Sequence, residues 1–154
     1  MLNRIIDFLL PTSSKLRLES LNDSDAILND HMIAEATLTA HLLDVALKAG
    51  YSADQINDLL GEIANKTAIS EFWISDETGQ VVYTNIPDIE FSFGTDPSGN
   101  EQAAAFAQLL TEDASVVVQP FMNRTYDHQS FKYVAVRGVD RARVVQVGIS
   151  ASDM

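Results

Sequence analysis

Six side chains between residues 73 and 133 have the chemistry to hold a small polar molecule. Their phenol, indole, ammonium and guanidinium groups can hydrogen-bond a carboxylate or an amide, while the aromatic faces enclose the rest of the ligand. Each of them is also explained, taken singly, by strand packing or by a place on the surface. The six are Trp73, Tyr83, Arg124, Tyr126, Lys132 and Tyr133.

Arg124 is the expected anchor if the ligand is a carboxylate. A guanidinium binds a carboxylate through two parallel hydrogen bonds, and Arg124 falls in a loop between two predicted strands. The substitution Arg124→Ala is expected to weaken binding and to leave the stability of the free protein nearly unchanged. Lys132 and Tyr133 are neighbours on one strand, so their side chains point to opposite faces of the sheet.

The remaining polar residues do not predict a catalytic or metal site. His31 and His41 are too far apart on a helix for an i,i+4 ligand pair, and they are expected to face solvent. His128 follows Asp127, but adjacent side chains diverge and no nucleophile accompanies them, so His128 is interpreted as a loop residue. The sequence also lacks a calcium loop, a phosphate loop and a nucleophile elbow. We therefore predict a protein that is not an enzyme and has neither a metal nor another cofactor.

Length and charge narrow the classes of partner. The 154 residues suit one domain, and 10 basic against 22 acidic residues give a net charge of −12, which disfavours nucleic acid and anionic membranes. The chain has no cysteine, which fits a reducing compartment. Asp7 interrupts the short apolar run at the N-terminus, so residues 1–10 predict neither a spanning helix nor a signal peptide. These features predict a cytoplasmic protein without membrane insertion.

The first half of the sequence is typical of helices. Residues 1–10 form a short amphipathic pattern that needs a partner surface, which predicts a homodimer built on N-terminal helices. Residues 11–22 are interpreted as a connection, so the chain divides into residues 1–22 and a domain over 23–151. A long helix is predicted from Asp23 or Ser24 to Gly50. Its apolar face comprises Ile27, Leu28, Met32, Ile33, Leu38, Leu42, Leu43, Ala46 and Leu47.

The second half of the sequence is typical of strands. A second helix from Ser52, with a capping box to Gln55, precedes a β-hairpin over 72–85 with a turn at Gly79. An irregular segment and an alanine-rich helix from Asn100 to Leu110 follow, and then three strands near 115–122, 130–137 and 143–149. The valine runs in these strands lack polar alternation, which indicates a sheet covered on both faces. A ligand pocket is expected between the sheet and residues 86–110.

The order and spacing of these strands resemble those of a Cache domain. The resemblance is carried by the hairpin Phe72–Asn85 together with Val116–Pro120, Phe131–Val134 and Val144–Gly148. Cache domains are PAS-like sensory modules of bacterial chemoreceptors and histidine kinases. The resemblance therefore implies an α+β fold, with an antiparallel sheet of about five strands behind a long N-terminal helix, and a role in sensing small molecules.

The resemblance also shapes the functional hypothesis. It implies a signal-transduction sensor that binds a small polar metabolite and passes the signal to an output partner or through a dimer, because the sequence ends soon after the last predicted strand. The alternative is a ligand-free, PAS-like dimerisation scaffold. The amino-acid-binding branch of the family has a Trp-Tyr pair shortly after an arginine. Here Arg124 is followed by Thr125 and Tyr126, so amino-acid specificity is not supported.

Overall fold

The described part of the chain is residues 12–111 and 114–154 of a computed structural model, with side chains described from Asp23 onward. The chain forms two compact units, residues 1–31 and 32–154. The described part of the first unit is helical, and the second unit contains the sheet. The predicted amphipathic helix at residues 1–10 lies outside the described residues.

Helix α1 spans Thr12–Lys48. It starts well before the predicted caps at Asp23 and Ser24. Residues 12–22 are therefore part of the helix, and the interpretation of them as a connection is wrong. The physical reason is that neither Gly nor Pro occurs between Thr12 and Lys48, and helix extension costs little once a helix has formed. No helix in the described ranges combines the length and the apolar character needed to cross a membrane.

Helix α2 spans Ala53–Lys66 and begins with the predicted capping box. The Gln55 backbone N–H donates to Ser52 Oγ at 3.2 Å, and the Ser52 N–H donates to Gln55 Oε1 at 2.9 Å. Each bond satisfies an N–H group that the helix itself leaves without a partner. The local sequence therefore fixes where α2 starts.

Six strands of the described residues form one antiparallel sheet. Its order is β2-β1-β6-β5-β3, and β4 pairs with the start of β5 along the same edge as β3. The predicted hairpin is confirmed, and the predicted strand at 115–122 is instead two short strands, because Pro120 has no N–H to donate to a ladder. The α+β class and the antiparallel sheet are confirmed. The strands are β1 Glu71–Ser75, β2 Val81–Thr84, β3 Val116–Val118, β4 Met122–Asn123, β5 Ser130–Arg137 and β6 Val144–Ser150.

One face of the sheet carries the helices. Ile74 of β1 is fully buried beside Leu43 of α1 and Ile56 and Leu60 of α2. In the part of α1 that belongs to the second unit, Ala36, Ala40 and Ala46 are buried as well. Leu38 was predicted on the buried face but is 66% exposed, because the apolar band of α1 is wider than one packing layer can cover.

The other face of the sheet carries the segment after β2. The alanine-rich stretch predicted as one helix from Asn100 is a 3-10 helix, Gln102–Ala107, followed by a short helix α3, Gln108–Thr111. Ala104, Phe106, Ala107 and Leu109 of this stretch are buried. Close packing on the sheet therefore overrides the high α-helix propensity of alanine. All seven residues of β6 are buried, which agrees with the predicted cover on both faces.

The hairpin turn gives a test of the fold. Gly79 has φ +85°, and a Cβ at this position would lie 2.4 Å from the carbonyl oxygen of Gly94. Gly50 also has a positive φ, of +84°, but a Cβ there meets nothing within 4 Å. Gly79→Ala should lower the free energy of unfolding by about 1–3 kcal/mol more than Gly50→Ala, since only the former adds a clash to the backbone strain. Urea denaturation of both variants measures the difference, and equal losses would contradict it.

Candidate functional site

A cavity of about 380 Å³ lies between the sheet and the segment after β2. Four of the six predicted binding residues line it. Trp73 comes from β1, Tyr133 from β5, and Arg124 and Tyr126 from the loop between β4 and β5. The alternation of side chains along the strands brings the strand residues to this face, because Trp73 pairs with Gln146 of β6 and Tyr133 pairs with Gly148.

The other two predicted residues lie outside the cavity lining. Tyr83 pairs with Ile74, so it belongs to the helical face of the sheet, where its ring centroid lies 5.9 Å from the guanidinium carbon of Arg143. Lys132 is buried on the face opposite Tyr133, and its Nζ donates to the backbone oxygen of Gln119 at 2.9 Å. The structure thus brings four of the six residues together.

Aromatic rings form the wall of the cavity. Phe91 meets Trp73 edge-on with ring centroids 5.6 Å apart, and it meets Phe93 at 5.1 Å. Phe93 in turn meets Phe106 of the 3-10 helix at 6.0 Å. This chain of edge-to-face contacts follows the segment from strand to helix. It holds the irregular segment on the sheet and leaves ring surfaces to enclose a ligand.

One end of the cavity is organised around a buried carboxylate that the sequence prediction missed. Glu71 of β1 is 6% exposed. Its Oε1 accepts from Arg124 Nη1 at 2.5 Å, and its Oε2 accepts from Trp73 Nε1 at 2.8 Å and from the Tyr133 hydroxyl at 2.9 Å. Three side chains of the cavity lining therefore hydrogen-bond the same carboxylate. Glu71 lies two residues before Trp73, so strand alternation alone places both on the same face.

Arg124 is held on every side. Its Nε and Nη2 donate to Asp127 at 3.1 and 2.6 Å, and its Nη1 also donates to the Tyr133 hydroxyl at 3.1 Å. Its guanidinium carbon lies 3.7 Å from the ring centroid of Phe131 and 4.7 Å from that of Tyr126. Two carboxylates, a hydroxyl and two aromatic rings thus surround this single cation.

These contacts shift three pKa values. Burial acts to lower the pKa of Arg124, but the hydrogen bonds with Asp127, Tyr133 and Glu71 outweigh burial and raise it. The hydrogen bond from Arg124 lowers the pKa of the Asp127 carboxyl. Burial, together with the nearby negative charge of Glu71, raises the pKa of Tyr133. At neutral pH the network therefore contains a guanidinium, a carboxylate at Asp127 and a neutral phenol.

Gly148 makes room for Tyr133. A Cβ on Gly148 would lie 2.5 Å from a ring carbon of Tyr133, so the ring crosses the bare backbone of β6. The same ring stacks on Phe131 at 5.6 Å with an interplanar angle of 16°. Gly148 on β6 and Phe131 on β5 together fix the position of the Tyr133 ring. Its hydroxyl then donates to Glu71 and accepts from Arg124.

Three glutamines line other parts of the cavity. Gln119, just after β3, donates from Nε2 to the backbone oxygen of Gln102 at 2.8 Å. The Nε2 of Gln102 and the Oε1 of Gln119 are buried and have no hydrogen-bond partner among the described residues. Gln146, on β6, is 5% exposed and faces the cavity beside Trp73. Sequence patterns gave no sign of these residues, because glutamine in a loop or strand is common on surfaces.

A second concavity and the three histidines are weaker candidates for a functional site. An open groove of about 1010 Å³ lies between α2 and residues 81–90, and its charged lining residues are all acidic: Asp58, Glu62, Asp88 and Glu90. The smaller, aromatic cavity is the better candidate, because open acidic grooves are ordinary solvated surface. His31 and His41 are exposed, as predicted, and His128 is an exposed loop residue. Within the described ranges, no group of three or more His, Cys, Asp or Glu residues has the geometry of a metal site.

Comparison with known proteins shows the fold and no family. Neither the protein-family models nor the curated proteins give a match to this chain. Among solved structures, the chain is similar to the crystal structure of the extracellular domain of rpHK1S-Z16, a protein assigned as a histidine kinase, with a TM-score of 0.53 and 14% identity. The match covers 92% of this chain and 60% of the other, so the chain spans less than two thirds of that structure. What the two share is the fold.

The comparison corrects one prediction. The sequence predicted a cytoplasmic location from the lack of cysteine and of spanning segments, whereas the solved domain with this fold is extracellular. The cytoplasmic prediction is therefore wrong. Its physical basis was weak, because a domain of this size with a large apolar core does not need disulfides in an oxidising compartment.

The geometry of Arg124 also changes what its removal should do. Arg124→Ala leaves the carboxylate of Glu71 buried without its cation, and breaking a buried ion pair in this way costs about 3–5 kcal/mol. The earlier expectation of nearly unchanged stability does not fit this arrangement. We expect the free energy of unfolding, measured by urea denaturation, to fall by about that amount.

Arg141→Ala is the matched control for this prediction. Arg141 pairs with Glu77 at 3.2 Å, but both side chains are about half exposed, so its loss should cost at most about 1 kcal/mol. Equal losses in the two variants would show that the pair between Arg124 and Glu71 does not stabilise the fold.

Proposed function

We propose that this chain is a Cache-type sensor domain of a bacterial signalling protein, which binds a small polar metabolite in the aromatic cavity. The observation that carries the proposal is the cavity itself: about 380 Å³, walled by aromatic rings, with polar groups at its ends. Pockets of about 300–1,000 Å³ with apolar walls and a few convergent polar groups are typical ligand sites. The fold shared with a histidine kinase's extracellular domain supports a sensory role.

The sensor domain that we propose lies outside the cytoplasm and has no catalytic role. The Trp73, Arg124 and Tyr133 side chains hydrogen-bond Glu71, and none of the described lining residues forms a nucleophile with an adjacent base. A sensor needs only that its ligand stabilise one conformation more than another. The change would then pass to an output partner or across a homodimer.

The only tryptophan of the chain provides the test. Trp73 lies in the cavity wall, so its fluorescence reports on anything that enters. In a metabolite panel we expect at least one compound to change Trp73 emission and to raise the melting temperature. A ligand at a hundred times its Kd adds about 2.7 kcal/mol to the free energy of unfolding, which corresponds to several degrees.

A variant that fills the cavity provides the control. Ala103 lines the cavity and takes no part in the Glu71 network, so Ala103→Phe should occupy the ligand volume and abolish both responses. Ala49→Phe adds the same side chain at an exposed position and should leave both responses intact. A hit that survives Ala103→Phe binds elsewhere, and a broad panel without a hit would refute the sensor proposal.

The second candidate function is a dimerisation scaffold, and one feature of α1 favours it. Leu38 and Val45 are 66% and 63% exposed, and they lie seven residues apart on the helix. His41 lies between them and Ala34 lies four residues before Leu38, and both are exposed at positions that continue the heptad spacing. A stripe with this spacing is complementary to a second copy of itself, as in coiled coils. Dimerisation through it is compatible with either function.

Light scattering tests the dimer directly. At tens of micromolar we expect the intact chain to be dimeric and the variant Leu38→Glu to be monomeric, because a charge in the centre of the stripe would be buried without a partner. Thr37→Glu changes the exposed residue next to this stripe and should leave the dimer intact. A monomeric intact chain would exclude dimerisation through α1 and, with it, the scaffold function.

A further inference from the structure

We infer that the cavity binds a compact organic cation, of the quaternary or tertiary ammonium class, in preference to an anion. The inference rests on the proposed function, in that it takes the aromatic cavity as a ligand site, and it specifies the chemical class of the ligand. Three properties of the site carry it: the balance of charge around the cavity, the use of its hydrogen-bond donors within the protein, and the arrangement of its aromatic rings.

The balance of charge around the cavity is negative. Arg124 is the only Lys or Arg among the described lining residues, and it already binds the carboxylates of Glu71 and Asp127 at 2.5 and 2.6 Å. Glu101 also lines the cavity and is exposed. One positive charge is thus outnumbered by three negative charges. In a site partly shielded from water, this excess attracts a cation and repels an anion.

The donors at the Glu71 end of the cavity are already used within the protein. Trp73 Nε1 donates to Glu71 at 2.8 Å, and the Tyr133 hydroxyl donates to it at 2.9 Å. Arg124 makes four hydrogen bonds, of which two go to Asp127. An anion that sought this guanidinium would have to displace a carboxylate, and breaking a buried ion pair is costly. A quaternary ammonium group needs no hydrogen-bond partner, so it leaves the network intact.

The aromatic rings have the arrangement of a cage. Phe91 and Phe93 are nearly perpendicular, with an interplanar angle of 86° and centroids 5.1 Å apart. Trp73 is inclined to Phe91 by 61°, and Phe106 is inclined to Phe93 by 63°. Rings at such steep angles enclose a space from several directions, and the negative face of each ring attracts a cation. Aromatic cages of this kind are the usual sites for quaternary ammonium groups.

A substituted ammonium group matches these walls better than a bare metal ion does. Metal ions are held by several oxygen or nitrogen atoms, whereas aromatic rings make up much of this wall. Methyl or methylene groups around an ammonium nitrogen pack against the rings, and the charge is attracted to their faces. The volume of about 380 Å³ admits such a head group with a short tail.

Compounds of one shape and different charge test this inference. The probes are choline and acetylcholine, each against its uncharged carbon isostere, in which a tert-butyl group replaces the trimethylammonium group. The anion of tert-butylacetic acid carries the same tert-butyl group on a carboxylate. Each compound is titrated into the intact chain by calorimetry and Trp73 fluorescence. An ionic strength of about 0.15 M screens the general attraction of an acidic protein for cations.

The expected result is a preference set by charge. At least one of the two cations should bind at least about tenfold more tightly than its isostere and than the anion, and Ala103→Phe should abolish this binding. An isostere or an anion that binds as tightly as the cations would overturn the inference. So would cation binding that survives Ala103→Phe, because the cation would then sit on the acidic surface elsewhere.

A ring variant tests the cage. Phe91→Leu keeps an apolar side chain but removes one aromatic face, so it should weaken binding of the cation about two- to tenfold. Phe72→Leu is the control, since Phe72 is buried beside Trp73 on the opposite face of the sheet and does not line the cavity. Equal effects of the two variants on cation binding would contradict the cage.

A charge variant tests the negative balance. Glu101→Gln removes the carboxylate at the cavity edge and should weaken binding of the cation about two- to fivefold, the value of a solvent-exposed ion pair. Glu35→Gln is the control, since Glu35 is exposed on α1 and lies outside the cavity lining. If both variants bind the cation alike, the charge at the edge does not contribute to selection.

The outcomes separate this inference from the proposed function. If neither cation binds at millimolar concentration but another metabolite binds in a way that Ala103→Phe abolishes, the ligand class is wrong and the sensor function stands. If neither the probes nor the metabolite panel give a response that Ala103→Phe abolishes, both are wrong.

Discussion

The carboxylate of Glu71 is nearly out of contact with water, and the end of the cavity is arranged to satisfy it. A buried anion is tolerated only when a cation and hydrogen-bond donors replace the water it has lost. Arg124 supplies the charge, and Trp73 and Tyr133 supply the remaining donors. These partners come from β1, β5 and the loop before β5, and β6 lies between the two strands. One side chain therefore ties together elements that the backbone ladder connects only indirectly.

The same arrangement divides the cavity into two chemically different ends. At the Glu71 end nearly every polar group has a partner within the protein, so this end serves mainly to hold the strands and the aromatic wall in place. At the Gln102 and Gln119 end two amide atoms lack a partner. Both atoms are buried, so the unmet hydrogen bonds at this end lie inside the protein and not on the cavity wall.

Local patterns in the sequence were enough for most of the fold. The capping box at Ser52, the turn at Gly79 and the valine runs each fixed an element, because their causes lie within a few residues. The predictions failed where distant packing decided the outcome. Buried Ala104 and Ala107 lie in a 3-10 helix, and Pro120 divides a predicted strand in two.

The site was predicted only in part, and for a physical reason. Strand alternation correctly put Lys132 and Tyr133 on opposite faces, and of the two Tyr133 lines the cavity. The sequence showed that Arg124 was a cation in a loop, but not that Glu71, 53 residues away along the chain, already neutralises it. Charge balance in a pocket is a property of the tertiary structure, so the preference for a carboxylate could not be tested from the sequence.

The hydrogen bonds to Glu71 limit how such a domain can change over evolution. Trp73, Tyr133 and Arg124 each line the cavity and each hold the same buried charge, so altering any of them to suit a new ligand also weakens the fold. Ile89 and Glu101 also line the cavity, but they are exposed and take no part in this network. Descendants of this chain can therefore acquire new ligands by substitutions at such positions at little cost in stability, while the carboxylate end stays fixed as the inherited frame.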